Sequence, residues 1–288
     1  EQYRSIRDWK AIEDLVRIPQ IKKRAKLGNS VIEDVRYLYG LYDGVDTVES
    51  LRQKIDATRD NYHYFRKSEA LQVDPVNLNT WILLTRIISH EKNITSSFLL
   101  DKVDSLIKEL NEVFYENENT IEKMAFVLEK YGIKFVCEPK LDKVPVDGYS
   151  FWEGNNPTIV ITQRYKWLDN IVFTVFHELG HIVKHLFSDR NSDYIDIEPS
   201  KINHDDKKGS KETEANAFAS KSIWRDFDFK QFFSKISQPF AAAPILKRLS
   251  SRLRINEGIL VGQYQHYCQD VNFPGAYAVC QKLRQKIR

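Results

Sequence analysis

The chain has 288 residues, 42% of them hydrophobic and 12% aromatic. That length favours two domains with a substantial core, and the composition is too apolar for disorder. A mean hydropathy of −0.47, with no apolar run near the ~18 residues that cross a bilayer, excludes a membrane-spanning chain. The net charge of +3 is too small for a dedicated nucleic-acid binder, although residues 245–288 alone carry +6.

Three cysteines, Cys137, Cys268 and Cys280, are odd in number and show no CxxC spacing. Neither a disulfide scaffold nor a thiolate zinc site fits, and a reducing cytoplasm is the expected compartment. The sole methionine is Met124 and the first residue is Glu1, so the expectation is a piece that lacks its natural N-terminus.

Residues 1–114 read as helical. Asp74-Pro75 pairs an N-cap with a residue suited to the first helical turn, ahead of Leu78, Trp81, Ile82, Leu84, Ile87 and Ile88. Val103, Leu106, Ile107, Leu110, Val113 and Phe114 form a second apolar stripe. After residue 119 the pattern changes. Thr120 is placed to cap a helix running to Tyr131, with Gly132 as its left-handed stop. Ile133–Cys137, Tyr149–Trp152 and Thr158–Ile161 read as strands of a small sheet, the last of them either an edge that pairs with an extended substrate or a plain core strand. Ile171–Leu186 reads as a buried helix, Ser188–Ser210 as a polar loop, and helix returns near Lys211 and fills the last forty-odd residues. The expected class is α+β, mainly helical.

Within the buried helix stands HELGH, His177 to His181. Histidines at i and i+4 share one helical face and can hold one metal ion. At 100° per residue, His181, His185 and Glu178 all lie within about 100° of His177, a polar stripe on an otherwise apolar cylinder. Burying such a stripe is costly unless something satisfies it. Two neutral imidazoles and a carboxylate suit Zn2+ with a position left for water, and Glu178, next to a ligand, is placed as general base.

His185 lies about 12 Å along the axis from His177, too far to join both other histidines on one ion. The metzincin position is Phe187. A carboxylate from a later helix is therefore required. In KETEANAFAS, Lys211 to Ser220, the buried face centres on Ala215 and Ala219, which turns Glu212 inward and Glu214 outward. Metal ligands are thus expected at His177, His181 and Glu212. Gly180, unfavourable by about 1 kcal/mol inside a helix, makes sense if that second helix approaches closely there.

These motifs resemble the ImmA/IrrE family of zinc metallopeptidase-like domains, in particular those of HigA-like, XRE-type bacterial regulators. The likeness rests on Pro157 to Ile161, on Phe173 to His181 within F-T-x-F-H-E-L-G-H, and on Glu212 to Ala219 within E-x-x-A-N-x-F-A. Weaker matches lie at Tyr64–Ala70 with Trp81 and at Ile255–Gly262. The family's usual segment ending in Met-Pro is replaced here by Ser220–Trp224, which blurs any transfer of substrate specificity.

The resemblance implies a zincin-like sheet with an HExxH helix. It divides the chain into a helical linker or interaction region at 1–116, a peptidase domain at 117–230, and a C-terminal helical region at 231–288 packing on the peptidase. It further implies a DNA-binding helix-turn-helix preceding Glu1, and action either on a repressor or other regulatory protein as substrate, or as an antitoxin facing a toxin. The leading expectation is a cytoplasmic zinc metallopeptidase; its rival is a metal-binding regulatory or antitoxin module without proteolysis. Oligomeric state stays open, a homodimer being one option. His204, Asp205 and Asp206 are read as solvated loop residues rather than a lid of the metal site. Leu246–Val261 has a helix-turn-helix rhythm and a basic face, and is read as a packed helical pair before a DNA-binding one.

Overall fold

A computed structural model describes residues 2–25, 27–28, 30–60, 73–162, 166–196, 209–273 and 275–288. The resembling stretch Tyr64–Ala70 and the loop residues His204, Asp205 and Asp206 lie outside them. The architecture is α+β: mostly helix, with one small four-stranded mixed sheet. Two compact units, each assembled from three separate stretches, make up the chain.

The first unit takes Glu1–Thr95, Lys134–Arg164 and Leu186–Asp205. Its helices are α1 (Gln2–Leu15), α2 (Ile18–Lys22), α3 (Val31–Gly40), α4 (Val48–Asp60) and α5 (Pro75–His90). Asp74 caps α5 by accepting from the backbone N–H groups of Val76 and Asn77, and Pro75 opens the helix. Helix α5 is buried nearly all round. Leu83 and Ile87 join the core formed by α1 to α4, while Leu78, Trp81 and Ile82 join a core made with the sheet. A helix apolar on both faces serves as the unit's central layer.

The sheet comprises β1 (Lys134–Cys137), β2 (Gly148–Glu153), β3 (Asn156–Ile161) and β4 (Asp193–Asp196), in the order β1-β3-β2-β4. β3 runs parallel to β1 and antiparallel to β2, with Ile159 opposite both Phe135 and Ser150. Thr158–Ile161 is therefore an interior strand. Both of its edges carry ladder hydrogen bonds, which removes it as a docking edge for substrate. The expected loop at 188–210 contains β4, all four residues of which are buried. Two apolar residues between two aspartates give no alternation to recognise.

The second unit takes Ser96–Ile133, Tyr165–His185 and Asp206–Arg288. It contains α6 (Val103–Glu116), α7 (Thr120–Lys130), α8 (Leu168–His181), α9 (Gly209–Trp224), α10 (Phe229–Phe233), α11 (Ala242–Leu253), α12 (Glu257–Asp270) and α13 (Ala276–Leu283). Thr120 is the first residue of α7 and not its cap: the cap position is Asn119, whose backbone is left-handed, and the Thr120 hydroxyl donates to Asn117. Gly132 does take φ +78°, and a Cβ there would lie 2.3 Å from the Phe98 nitrogen. Gly258, Ile259, Leu260, Val261 and Gly262 of α12 are buried. That burial packs the first half of α12, while His266, Gln269 and Asp270 near its end are exposed. Much of the C-terminal positive charge is engaged locally: Arg254 pairs with Glu112, Arg284 with Asp169, and Lys286 sits over the Trp167 ring. The three cysteines are free thiols.

Candidate metal centre

Helix α8 is built to be held at both ends. Its first backbone N–H, at Leu168, donates to the carbonyl of Gln285, supplying a partner that Trp167 at the cap position does not. Asp169 in the first turn, favoured there by the helix dipole, receives a 2.6 Å bond from Arg284, which also reaches Asn170. Burial pushes the Asp169 carboxyl up, against the opposing pull of Arg284. Inside the unit, Phe176 of α8 meets Phe114 of α6 edge-on at 5.6 Å. The helix then carries His177, Glu178 and His181, all buried, and passes into one π-helical stretch at Ile182–Leu186. Such wider turns recur at functional sites because they shift the helical register.

Helix α9 crosses α8 at Gly180. A Cβ on that glycine would stand 3.0 Å from the Ala215 Cα and 3.1 Å from its carbonyl oxygen, both backbone atoms. This contact sets the reach of the α9 side chains. Glu212 places Oε2 3.3 Å from Nε2 of His177 and Oε1 3.5 Å from Nε2 of His181, and the two Nε2 atoms are 3.0 Å apart. Glu214 is turned to His185, at 3.9 Å from Nδ1, and His185 directs Nε2 to the Lys211 carbonyl at 3.2 Å. Of the two glutamates, Glu212 is the one that meets both histidines of the HExxH pair. His185 stands beyond them, facing the start of α9.

These three donors suit a small divalent cation. A tetrahedral ion bound at ~2.0–2.1 Å has ligand atoms about 3.3 Å apart; here one ligand atom from each of the three residues lies within 4.8 Å of the other two, and the two Nε2 atoms are 3.0 Å apart. Imidazole nitrogens and a carboxylate oxygen are also the donor types that zinc and related transition metals take. Electrostatics points the same way. Burial acts to raise the Glu212 carboxyl, but the adjoining rings of His177 and His181 outweigh it and hold the group well below the usual carboxylate range. Burial presses His181 down to about 4, aided by His177 and resisted by Glu212. At neutral pH the cluster is thus an ionised carboxylate facing a neutral imidazole, the form a metal requires. The histidine side chains are each 1% exposed and that of Glu212 is 35% exposed, so the donor triangle has a sealed side and an open one.

One neighbour stood in the motif without a role. Asn216 places Oδ1 2.9 Å from Nδ1 of His177. Its signals in the sequence are its place in E-x-x-A-N-x-F-A and the four-residue spacing from Glu212, which sets both on one face of α9.

Comparison with curated proteins and with solved structures gave no match. Residues 128–255, the stretch that holds His177, Glu178, His181 and Glu212, are similar to the IrrE N-terminal-like domain, Peptidase M78, a metallopeptidase-type domain.

Proposed function

We propose that this chain is a zinc-dependent metallopeptidase that hydrolyses a peptide bond in a regulatory protein, a repressor or a toxin-associated partner, in the cytoplasm of a bacterium. His177, His181 and Glu212 would hold the ion. The observation that carries the reading is the convergence of the two Nε2 atoms, 3.0 Å apart, with the Glu212 carboxylate, whose two oxygens lie 3.3 and 3.5 Å from them. When bound, zinc would acidify a water molecule and polarise the scissile carbonyl.

The remaining chemistry falls to the chain's own groups. Glu178 is fully buried on the same rigid helix, one residue on from His177. Its carboxylate would accept the proton of the attacking water and pass it to the nitrogen of the departing amine, acting as base and then as acid. Glu178 is 0% exposed, and that burial strengthens the electrostatics of its carboxylate. A module that binds metal without proteolysis would have no use for a carboxylate at Glu178.

The test is metal content and cleavage on the same preparations. The purified protein, made without chelators, is expected to carry about one zinc per chain. Glu212→Ala is expected to lose most of it while Glu214→Ala keeps it. Glu178→Gln is expected to keep zinc and to lose cleavage, by at least about 100-fold, of peptides from a mixed library read by mass spectrometry. Wild-type protein without stoichiometric transition metal, or equal metal loss in the two glutamate variants, would overturn the site. Undiminished cleavage by Glu178→Gln would overturn the role of that residue.

A further inference from the structure

We infer that Asn216 is a positioning residue that fixes the ring of His177 and thereby sets the metal affinity of the site; the inference rests on the metal site proposed above. An amide oxygen can only accept, so at 2.9 Å from Asn216 Oδ1 the Nδ1 atom of His177 carries the proton and donates. A neutral imidazole protonated at Nδ1 keeps its lone pair on Nε2. That atom faces His181 and Glu212. One hydrogen bond therefore selects both the tautomer and the ring orientation that a ligand needs.

Three further features make the arrangement a support built into the helix pair. Asn216 follows Glu212 by four residues on α9, so a single helical face delivers one donor to the cluster and one brace to another donor. The close approach of Gly180 to the Ala215 backbone fixes the distance between α8 and α9 at the residue next to Asn216. Phe173, one turn before His177 on α8, stacks on its ring at 6.1 Å and 30°. The imidazole is thus held on its face by Phe173 and at its edge by Asn216.

The amide also differs from a carboxylate in its consequence. A neutral acceptor orients the ring without adding a second negative charge beside Glu212. An aspartate at this position would keep the acceptor and make the imidazole a stronger donor to metal, so it serves as the conservative replacement.

The experiment compares wild type, Asn216→Asp and Asn216→Leu as full chains. Zinc dissociation constants are measured by competition with a chelating dye, and the exchange of histidine Nδ1–H protons is followed by NMR in the cobalt(II)-loaded proteins, where the ion shifts those signals out of the crowded region. Asn216→Leu, similar in size but without an acceptor, is expected to weaken zinc binding about 10- to 100-fold. Asn216→Asp is expected to stay within about threefold of wild type or to bind more tightly. The His177 Nδ1–H signal is expected to exchange slowly in wild type and in Asn216→Asp and quickly in Asn216→Leu. Aspartate matches asparagine in shape, so the readout that separates a lost acceptor from lost packing is the exchange of the His177 Nδ1–H proton.

Wild-type zinc binding with an unchanged constant in Asn216→Leu would overturn this inference and leave the metal site standing. Rapid exchange of the His177 proton in the wild-type cobalt form would do the same even if the leucine variant failed to fold. Absence of zinc from the wild type would remove the metal site, and this role with it.

Discussion

His181 shows how burial prepares a ligand. Its side chain is 1% exposed and its pKa is pressed down to about 4, first by burial and then by the neighbouring His177, with Glu212 pulling the other way. An unfolded histidine titrates near 6.5. As pH falls from about 6.5 to about 4, the unfolded chain therefore takes up a proton that the folded chain refuses, and stability declines. The contribution is fully present above pH ~6.5 and lost as pH passes through the folded value. Glu212, held below the usual carboxylate range, adds to the same trend at lower pH. The metal-free protein is expected to lose ~3 kcal/mol from His181 between pH 7 and pH 4, by the conversion of 1.36 kcal/mol per pH unit. Urea unfolding in the presence of a chelator, run at several pH values on wild type and His181→Gln, measures it. The glutamine variant should show the shallower dependence, and parallel curves would mean that burial of this imidazole does not set the acid limit.

The pair α8 and α9 carries the site, and its contact point is a glycine with no spare room. In Gly180→Ala the new methyl would meet the Cα and carbonyl of Ala215 at 3.0 and 3.1 Å. Backbone cannot rotate out of the way as a side chain can. Alanine would gain about 1 kcal/mol of helix propensity, but pushing α9 outward costs ~1–3 kcal/mol and carries Glu212 with it. The expected result is a protein no more stable than wild type with zinc affinity reduced about tenfold or more. Gly40, at the end of α3 with nothing within 4 Å of its would-be Cβ, is the matched control: alanine there should be neutral or stabilising by up to ~1 kcal/mol. Calorimetry together with zinc titration of the two variants decides, and equal behaviour would show that the crossing at Gly180 is looser than these distances imply.

This element pair was also the part of the fold most legible in the sequence. Helical phase alone turns Glu212 toward the face of Ala215 and Ala219, and that is the carboxylate that meets His177 and His181 in the structure. Periodicity gives direction but not the partner, so Asn216 remained a motif letter without a contact. The parallel pairing of β3 with β1 lies beyond local pattern for the same reason, since a strand's neighbours are chosen by residues far away in sequence. β4 escaped because its buried residues include Asp193 and Asp196, whose polarity reads as loop unless their partners are known. The cap at Asn119 was missed because its left-handed backbone is permitted to asparagine without any side-chain bond.

At the scale of the molecule, each compact unit is closed by contacts that span most of its length in sequence, and in the first unit one buried ion pair does this. Arg86 of α5 gives two bonds, 2.6 and 2.7 Å, to Asp193 of β4. The hydroxyl of Thr58 on α4 donates to the same carboxylate at 2.6 Å and that of Tyr149 on β2 at 2.9 Å. The guanidinium lies 4.3 Å from the ring centres of both Tyr42 and Phe151. Burial alone would lower the pKa of Arg86, but Asp193 above all holds it charged. Four stretches of chain thus meet at one carboxylate. Arg86→Met removes the cation and strands Asp193 in the interior, at an expected cost of about 3–5 kcal/mol. Adding Asp193→Asn to Arg86→Met removes the Asp193 charge, leaves an oxygen to accept from Thr58 and Tyr149, and leaves Glu153, 4.0 Å from the Arg86 guanidinium in the wild type, with His90 as its partner. The double variant should therefore be more stable than Arg86→Met alone, by ~1–3 kcal/mol in denaturant midpoints converted at a common slope. A double variant as unstable as the single one would locate the loss in the packing of Arg86 between Tyr42 and Phe151, and would make the aromatic sandwich, not the ion pair, the fastening of this unit.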